Sequence, residues 1–508
     1  MGGFVGACSS AVLLIFALPP FGIVPFAFLA LVPLARSISK LPPGYSGRRA
    51  AAILGGCFGI VFWGWSLMWV PLVVGSSFTW AVPGYLLQLA LLGCLSGLFA
   101  WAAHGLHKGA ALPLGLALPL AWVGVEWVKG HFPLGLAFPW LGLGVSLSGW
   151  PEILGLAEWF GEGGVAFWLA GVAGLVAMAL QAPPGRGRTV PWALVLGVGL
   201  LPALAGALRA GSLSFSEGPR VLAVGTEVSP SLREDPSRAW DVSLAQIQEA
   251  LTLAPPGPWD LVLLPEGAIP FPIGSLEGEE AMESIRTLAR EVNAPFVAGA
   301  LGWSTEETSE GQTNSVVLLF PEDPGIQRYD KVRLVPGMEA GAFVPGSGTR
   351  LFSAEGWEYG PLLCYESLYS GLARTARNAG GIVLLNLTSD VWFGRGDSLI
   401  GSLFLRQHPA HLVLRAVETR TPVARSANGG YSSLLSPLGE VVANSGQLGV
   451  GAVGGNLPVF SGTTLFSRTG DWIGPFCILL SFILLARPRK RQGPGRIRPT
   501  NRTRTDGP

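Results

Sequence analysis

The chain has 508 residues, of which 49% are hydrophobic and only 13% charged, with a mean hydropathy of +0.45. Soluble globular chains carry about a quarter charged residues, so this deficit assigns much of the chain to lipid, and a net charge of +1 gives no basis for binding nucleic acid. Of the five cysteines only Cys364 lies in a polar part of the chain, which excludes a disulfide framework and leaves no Cys/His zinc spacing.

Apolar runs dominate the first 210 residues. A spanning helix needs about 20 apolar residues, and candidate spans fall at 4–19, 21–36, 51–74, 80–103, 110–128, 155–181 and 189–208. The first two are short and share the punctuation Pro19-Pro20-Phe21-Gly22, so a single re-entrant pair is an alternative to two crossings. A last apolar run lies at 471–486. Lys and Arg gather in cytoplasmic loops. Here they follow span two (Arg36, Lys40, Arg48, Arg49), span four (Lys108) and span six (Arg186, Arg188), and they fill the tail after 487. The loop at 75–79 is uncharged, although Lys129 falls on the same side. The domains expected are therefore a membrane part at 1–210, an outward-facing domain at 215–465, a closing helix at 471–486 and a basic cytoplasmic tail at 487–508. Both termini are then cytoplasmic, and in a bacterium the outward domain faces the periplasm.

The outward region alternates short β-type runs (Val221–Val228, Leu261–Leu264, Phe296–Ala300, Ser315–Phe320, Ile382–Leu387, Pro422–Arg425) with helical stretches at 238–253, 279–292, 367–379 and 402–418. That order predicts a layered α/β domain. Three of its segments carry reactive side chains. Glu266 follows Leu261-Val262-Leu263-Leu264-Pro265, where it is either a strand-end acid or the cap of the next turn. In Tyr329-Asp330-Lys331-Val332-Arg333-Leu334-Val335-Pro336, strand alternation turns Lys331 and Arg333 to one face, and Glu339 comes eight residues after the Lys. An edge strand guarded by Lys explains that run equally well. Cys364 closes Pro361-Leu362-Leu363 and precedes Tyr365-Glu366. A buried structural thiol and a nucleophile activated by a nearby cation are both consistent with it.

In the order Glu, Lys, Cys these residues resemble the nitrilase superfamily of carbon–nitrogen hydrolases. The similarity extends to Val391-Trp392-Phe393-Gly394, Arg415-Ala416-Val417-Glu418 and Ser426-Ala427-Asn428-Gly429-Gly430. The membrane half narrows it. Pro19-Pro20-Phe21-Gly22 with Phe28-Leu29-Ala30-Leu31-Val32-Pro33, Glu126-Trp127-Val128-Lys129 with Phe138-Pro139-Trp140-Leu141-Gly142, and Ser467-Arg468-Thr469-Gly470-Asp471-Trp472 resemble the bacterial apolipoprotein N-acyltransferases. That resemblance implies a multi-pass α-helical membrane bundle carrying an α-β-β-α sandwich.

It also implies the chemistry: Glu266 as base, Cys364 as nucleophile, and Lys331 as the oxyanion-side cation together with a backbone N–H near Tyr365. Glu339 matches a second essential acid, Glu366 follows the Cys-Tyr pair, and Tyr365, Trp392 and Phe393 match substrate-contacting positions. The implied partners are a phospholipid acyl donor, typically phosphatidylethanolamine, and a diacylglyceryl-apolipoprotein acceptor; no cofactor or metal is implied. The sequence departs from the family pattern at Gly337-Met338, at Thr226-Glu227, at Glu234 and at Ser389-Asp390. Glu126 and Lys129 read as a same-face anchoring pair, and His408 and His411 as structural residues of a helix. A membrane-anchored hydrolase that passes the acyl group to water is the enzymatic alternative, and a degenerate scaffold the non-enzymatic one.

Overall fold

The computed structural model describes residues 1–72, 79–133, 135–183, 186–305, 310–394, 399–446 and 449–487. Most of the uncharged loop at 75–79 and all of the basic tail beyond Arg487 lie outside the described residues. The membrane half comprises α1 (Gly2–Ala17), α2 (Val24–Leu29), α3 (Val32–Ser39), α4 (Tyr45–Ser66), α5 (Trp69–Leu72), α6 (Ala81–His104), α7 (Leu114–Gly130), α8 (Ala157–Ala179) and α9 (Arg186–Gly211).

Eight crossings are expected from the apolar runs. Among the described residues four helical stretches are long and apolar enough to cross a membrane: Tyr45–Leu72, Ala81–Gly109, Pro151–Ala179 and Thr189–Gly211. Gly2–Ala17 and Val24–Ser39 are shorter apolar helices, the second interrupted between α2 and α3, each of which begins with a proline in its first turn. Small residues let α4 and α6 approach closely, as is common between helices in lipid. A Cβ at Gly59 would stand 2.5 Å from Ser96 Oγ, and one at Gly55 2.4 Å from the Ser96 carbonyl.

The second half is built on two six-stranded sheets. Its elements are β1 (Arg220–Gly225), α10 (Pro236–Thr252), β2 (Leu261–Leu263), α11 (Leu276–Val292), β3 (Phe296–Trp303), β4 (Gln312–Leu319), β5 (Ile326–Asp330), β6 (Phe352–Ala354), β7 (Trp357–Leu363), α12 (Ser370–Asn378), β8 (Val383–Ser389), α13 (Leu399–Phe404), α14 (Gln407–Thr419), β9 (Val423–Asn428), β10 (Ser433–Leu435), β11 (Val441–Asn444) and β12 (Gly451–Asn456). One sheet runs β12-β1-β2-β3-β4-β5 and the other β11-β10-β9-β8-β7-β6. Alternation along buried strands gives each sheet two apolar faces. The inner faces close on one another through Val221, Leu261, Val297, Tyr329, Leu363 and Leu385. The outer face of the first sheet is covered by α10 and α11, through Ile247, Met282 and Ile285.

The second sheet is covered by α12 and α14, whose buried residues Ala373, Leu412 and Val417 belong to the same apolar core as the membrane helices. The result is an α-β-β-α sandwich with one helix layer shared with the bundle. At that seam α8 breaks at Gly161, whose φ of +66° a side chain would strain and where a Cβ would meet the Phe466 ring. Around the break Glu158 takes guanidinium donors from Arg209 and Arg420, each at 3.0 Å, and Glu162 takes one from Arg415 at 2.7 Å. The chain returns to the bundle through α15 (Leu465–Thr469) and α16 (Ile473–Ala486).

Candidate active site

Strand ends from both sheets bring the reactive side chains together. Glu266 stands just beyond β2, Lys331 one residue after β5, and Cys364 directly after β7. Lys331 is fully buried, and its ammonium lies 2.8 Å from Glu339 Oε1 and 3.3 Å from Glu266 Oε1. Burial disfavours the ammonium, but the two carboxylates outweigh it and hold the Lys331 pKa well above the usual range. A single cation between two carboxylates leaves the cluster short of one positive charge. Asn314 supplies two neutral donors: its side-chain amide reaches Glu266 at 2.8 Å and Glu339 at 2.9 Å. Glu266 Oε2 accepts from the Ser389 N–H at 2.9 Å, and Glu339 Oε2 from the Val335 N–H at 2.7 Å.

The alternation expected along 329–336 is not present. The strand ends at Asp330, so Lys331 is buried whereas Arg333 is exposed, its guanidinium 5.4 Å above the Tyr369 ring. The Glu366 carboxylate fixes the departure: it accepts from Val332 N (2.6 Å), Arg333 N (3.0 Å), Leu363 N (2.7 Å) and the Tyr329 hydroxyl (2.8 Å). Glu366 therefore ties the Lys331 segment to the turn that carries the cysteine, through backbone N–H groups and Tyr329. Burial pushes its carboxyl up in pKa, against the pull of these N–H donors.

Cys364 is half-buried and adopts φ +50°, a left-handed conformation that costs a non-glycine residue about 1–3 kcal/mol. It opens the short 3-10 turn Cys364–Leu368 at the end of β7, so the side chain is presented at a sharp corner. Burial and the negative charge of Glu266 push its thiol up in pKa, with the Lys331 ammonium opposing. The resting group is thus a neutral thiol that needs a base, beside a carboxylate able to take its proton. The turn is also held from behind, where His408 of α14 contacts the Cys364 carbonyl and Asp390, and Asp390 pairs with Arg425.

The remaining expected positions lie on the membrane side. The Tyr365 ring is buried and its hydroxyl donates to the Ala137 carbonyl at 3.0 Å, docking the turn on the loop after α7. Phe393 is buried against Trp69 (ring centroids 4.6 Å apart) and Trp140 (5.9 Å), and Trp392 beside it is half-buried. Glu126 and Lys129 do anchor, though to that loop and not to each other. Glu126 accepts from the Leu143 N–H at 2.7 Å, Lys129 donates to the Trp140 carbonyl at 2.8 Å, and no ion pair joins the two. Sequence reasoning missed Asn314, because the strand expected from Ser315 begins at Gln312. It also missed the Asp390–His408–Arg425 group, whose members come from three separate elements.

Comparison with known proteins bears on both halves. Residues 10–175 match the model of the apolipoprotein N-acyltransferase N-terminal domain, and residues 232–453 match that of carbon-nitrogen hydrolases. A mutant of the Nesterenkonia AN1 amidase from the nitrilase superfamily covers 52% of this chain and 96% of its own length, at 21% identity and a TM-score of 0.34. By the family match over residues 232–453 the second half is a carbon–nitrogen hydrolase domain, mounted on a helical membrane domain. Proteins named apolipoprotein N-acyltransferase match along nearly the whole chain: that of Geobacter metallireducens at 27% identity, covering 96% of both chains, and that of Azotobacter vinelandii at 29%, again covering 96% of both. The one from Thermosynechococcus vestitus is 28% identical and covers 94% of this chain and 93% of its own. The chain belongs to the apolipoprotein N-acyltransferase family.

Proposed function

We propose that this protein transfers an acyl chain from a phospholipid, with phosphatidylethanolamine as the donor class, to the α-amino group of the diacylglyceryl-cysteine at the N-terminus of an apolipoprotein. The observation that carries the reading is the convergence of Glu266, Lys331 and the strained Cys364 at strand ends, with Glu339 joining them from the turn after β5, in a sandwich whose helix layer is shared with lipid-type helices. Glu266 takes the Cys364 proton as the sulfur attacks the ester carbonyl. The oxyanion forms against the Lys331 ammonium and the Tyr365 N–H, donors of a kind worth about 3–4 kcal/mol each. Collapse breaks the ester C–O bond, and the lysophospholipid alkoxide leaves with the proton from Glu266. In the second half the neutral amine attacks the thioester, Glu266 takes its proton, and the C–S bond breaks to give the amide and the free thiol. The gain is the splitting of one hard displacement into two easier ones.

Glu339 balances Lys331 throughout, Glu366 holds the geometry, and Tyr365, Trp392 and Phe393 border the path of the lipid chains. The basic residues within 36–49 and 186–188 and the uncharged sequence at 75–79 support an orientation in the bacterial inner membrane with residues 215–465 in the periplasm and both termini in the cytoplasm. The test uses purified full-length protein in detergent with phosphatidylethanolamine labelled in its acyl chain. A labelled thioester on Cys364, discharged by a diacylglyceryl-cysteinyl peptide to an N-acyl product, is the expected result. Label released only as free fatty acid would identify a hydrolase and overturn the transferase reading.

A further inference from the structure

His408 has no part in the proton and acyl transfers above, yet it touches the backbone of the nucleophile itself. Its ring is buried. Nδ1 lies 2.9 Å from Asp390 Oδ1, and Nε2 lies 3.1 Å from the Cys364 carbonyl oxygen and 3.0 Å from Ser367 Oγ. A carboxylate and a peptide carbonyl can only accept, so this geometry calls for a proton on each ring nitrogen. Asp390 is itself fixed: it accepts from Thr388 at 3.1 Å and pairs with Arg425, which is fully buried and also donates to Asn386. Burial alone would favour a neutral Asp390, but the Arg425 guanidinium and the His408 ring hold its carboxyl down at about 2. Trp140 and Phe393 pack against the imidazole at 5.8 and 6.3 Å between centroids. A line of contacts thus runs from strand β9 to a single carbonyl.

That carbonyl belongs to the Cys364–Tyr365 peptide. A trans peptide is planar, with its C=O and N–H pointing in opposite directions. Holding the oxygen on His408 therefore turns the Tyr365 N–H away from His408. This N–H is in the first turn of Cys364–Leu368, where N–H groups have no acceptor within the helix. It is left free to meet an oxyanion. We propose that His408, backed by Asp390 and Arg425, is a positioning residue that locks the Cys364–Tyr365 peptide with its N–H directed at the substrate carbonyl, opposite Lys331. A flip of this one peptide would direct an oxygen there instead and abolish that half of the oxyanion site.

The inference rests on the acyl-transfer reading and extends it. Two rates separate its failure from the failure of that reading, both measured on full-length protein in detergent. One is thioester formation from acyl-labelled phosphatidylethanolamine. The other is alkylation of Cys364 by iodoacetamide, mapped by peptide mass spectrometry so that the other cysteines do not count. Alkylation has no oxyanion and needs only an accessible thiol on a folded turn with Glu266 in place to take its proton. His408→Ala is expected to slow thioester formation about 10²–10³-fold, the loss typical of one oxyanion donor, while alkylation stays within about threefold of wild type. His408→Gln, whose amide N–H can replace Nε2–H at the carbonyl, is expected to recover about tenfold or more of the loss. Thioester formation undiminished in His408→Ala overturns the clamp, as do equal losses in both variants or a parallel loss of alkylation. A wild-type protein that is alkylated at Cys364 but never acylated brings down the acyl-transfer reading, and the clamp with it.

Discussion

Two buried ion clusters flank the helix layer of the sandwich, and they are built from different cations. At the strand ends Lys331 stands between Glu266 and Glu339, with Cys364 beside it. At the seam with the bundle Arg420 and Arg209 fork onto Glu158, and Arg415 joins Glu162 to Glu418. Guanidinium groups present planar pairs of donors that hold carboxylates in fixed directions, whereas an ammonium is a compact point charge on a flexible stem. The seam has to keep two halves of a protein in register, one in lipid and one in water, and its contacts are forked. In the proposed reaction negative charge passes from the Glu266 carboxylate through the sulfur to an oxyanion, and an ammonium on a flexible stem can follow it. Burial alone does not separate the two: both lie in low dielectric, and in both an unpaired charge would be costly.

Breaking the first cluster at its centre should have the largest effect. Cys364→Ala is expected to abolish the labelled thioester and all N-acylation, while the melting temperature in detergent stays near wild type, since only a half-buried thiol is removed. Residual N-acyl product above the uncatalysed background would show that another group carries the acyl chain. Next comes the seam. Arg420→Met leaves Glu158 with Arg209 alone, and removal of one partner from a buried pair costs about 3–5 kcal/mol of stability. Thermal unfolding should record that loss, with thioester formation per folded molecule unchanged. The reverse pattern is expected of Lys331→Arg: the charge survives, but the bulkier fork cannot sit 2.8 Å from one acid and 3.3 Å from the other and still face the thiol. Thioester formation should fall about 10²–10³-fold with a much smaller change in melting temperature. If Lys331→Arg unfolds the protein and Arg420→Met only slows it, the division between a reactive and a structural cluster is wrong.

The reactive cluster was the more legible of the two in the sequence, for a physical reason. Glu266 and Cys364 each end an apolar run, and a polar residue at a strand's end is visible in one dimension. Lys331 and Glu339 were legible through the family resemblance, since a Lys-guarded edge strand explains their run equally well. Asn314 was not, since a lone Asn near a strand gives no sign that its amide will bridge two acids; its loss should cost about 1–3 kcal/mol through the donors removed from Glu266 and Glu339, read as a thioester rate about 10- to 100-fold lower. The seam was hidden more thoroughly. Glu158 and Glu162 lie four apart at the start of an apolar stretch, and their partners Arg415 and Arg420 come more than two hundred residues later. Nothing local pairs them. Alternation failed at Lys331 and Arg333 because the strand ends at Asp330, before either residue, where the chain turns to the four donors gathered on Glu366.

The seam cluster also contains the substitution expected to matter least. Arg415 faces two acids, Glu162 at 2.7 Å and Glu418 at 3.1 Å, and Glu418 is fully buried. Burial, with the charge of Glu162 adding to it and Arg415 opposing, pushes the Glu418 carboxyl up to about 8. At pH 6 it is therefore neutral in the folded protein and ionised in the unfolded chain, where a glutamate titrates near about 4.3. The folded state binds the extra proton across that window. Stability from this group is full below about pH 4.3 and declines as the pH rises toward 8. Glu418→Gln copies the neutral form, retaining an acceptor for the Glu162 N–H now 2.8 Å from Glu418. At pH 6 it should change stability by less than about 1 kcal/mol, and its melting temperature should fall less than the wild type's between pH 5 and 8. Parallel melting curves across that range would mean that Glu418 is ionised beside Arg415. Arg415 would then face two acids as Lys331 does, and the contrast between these two cations would narrow to their shape.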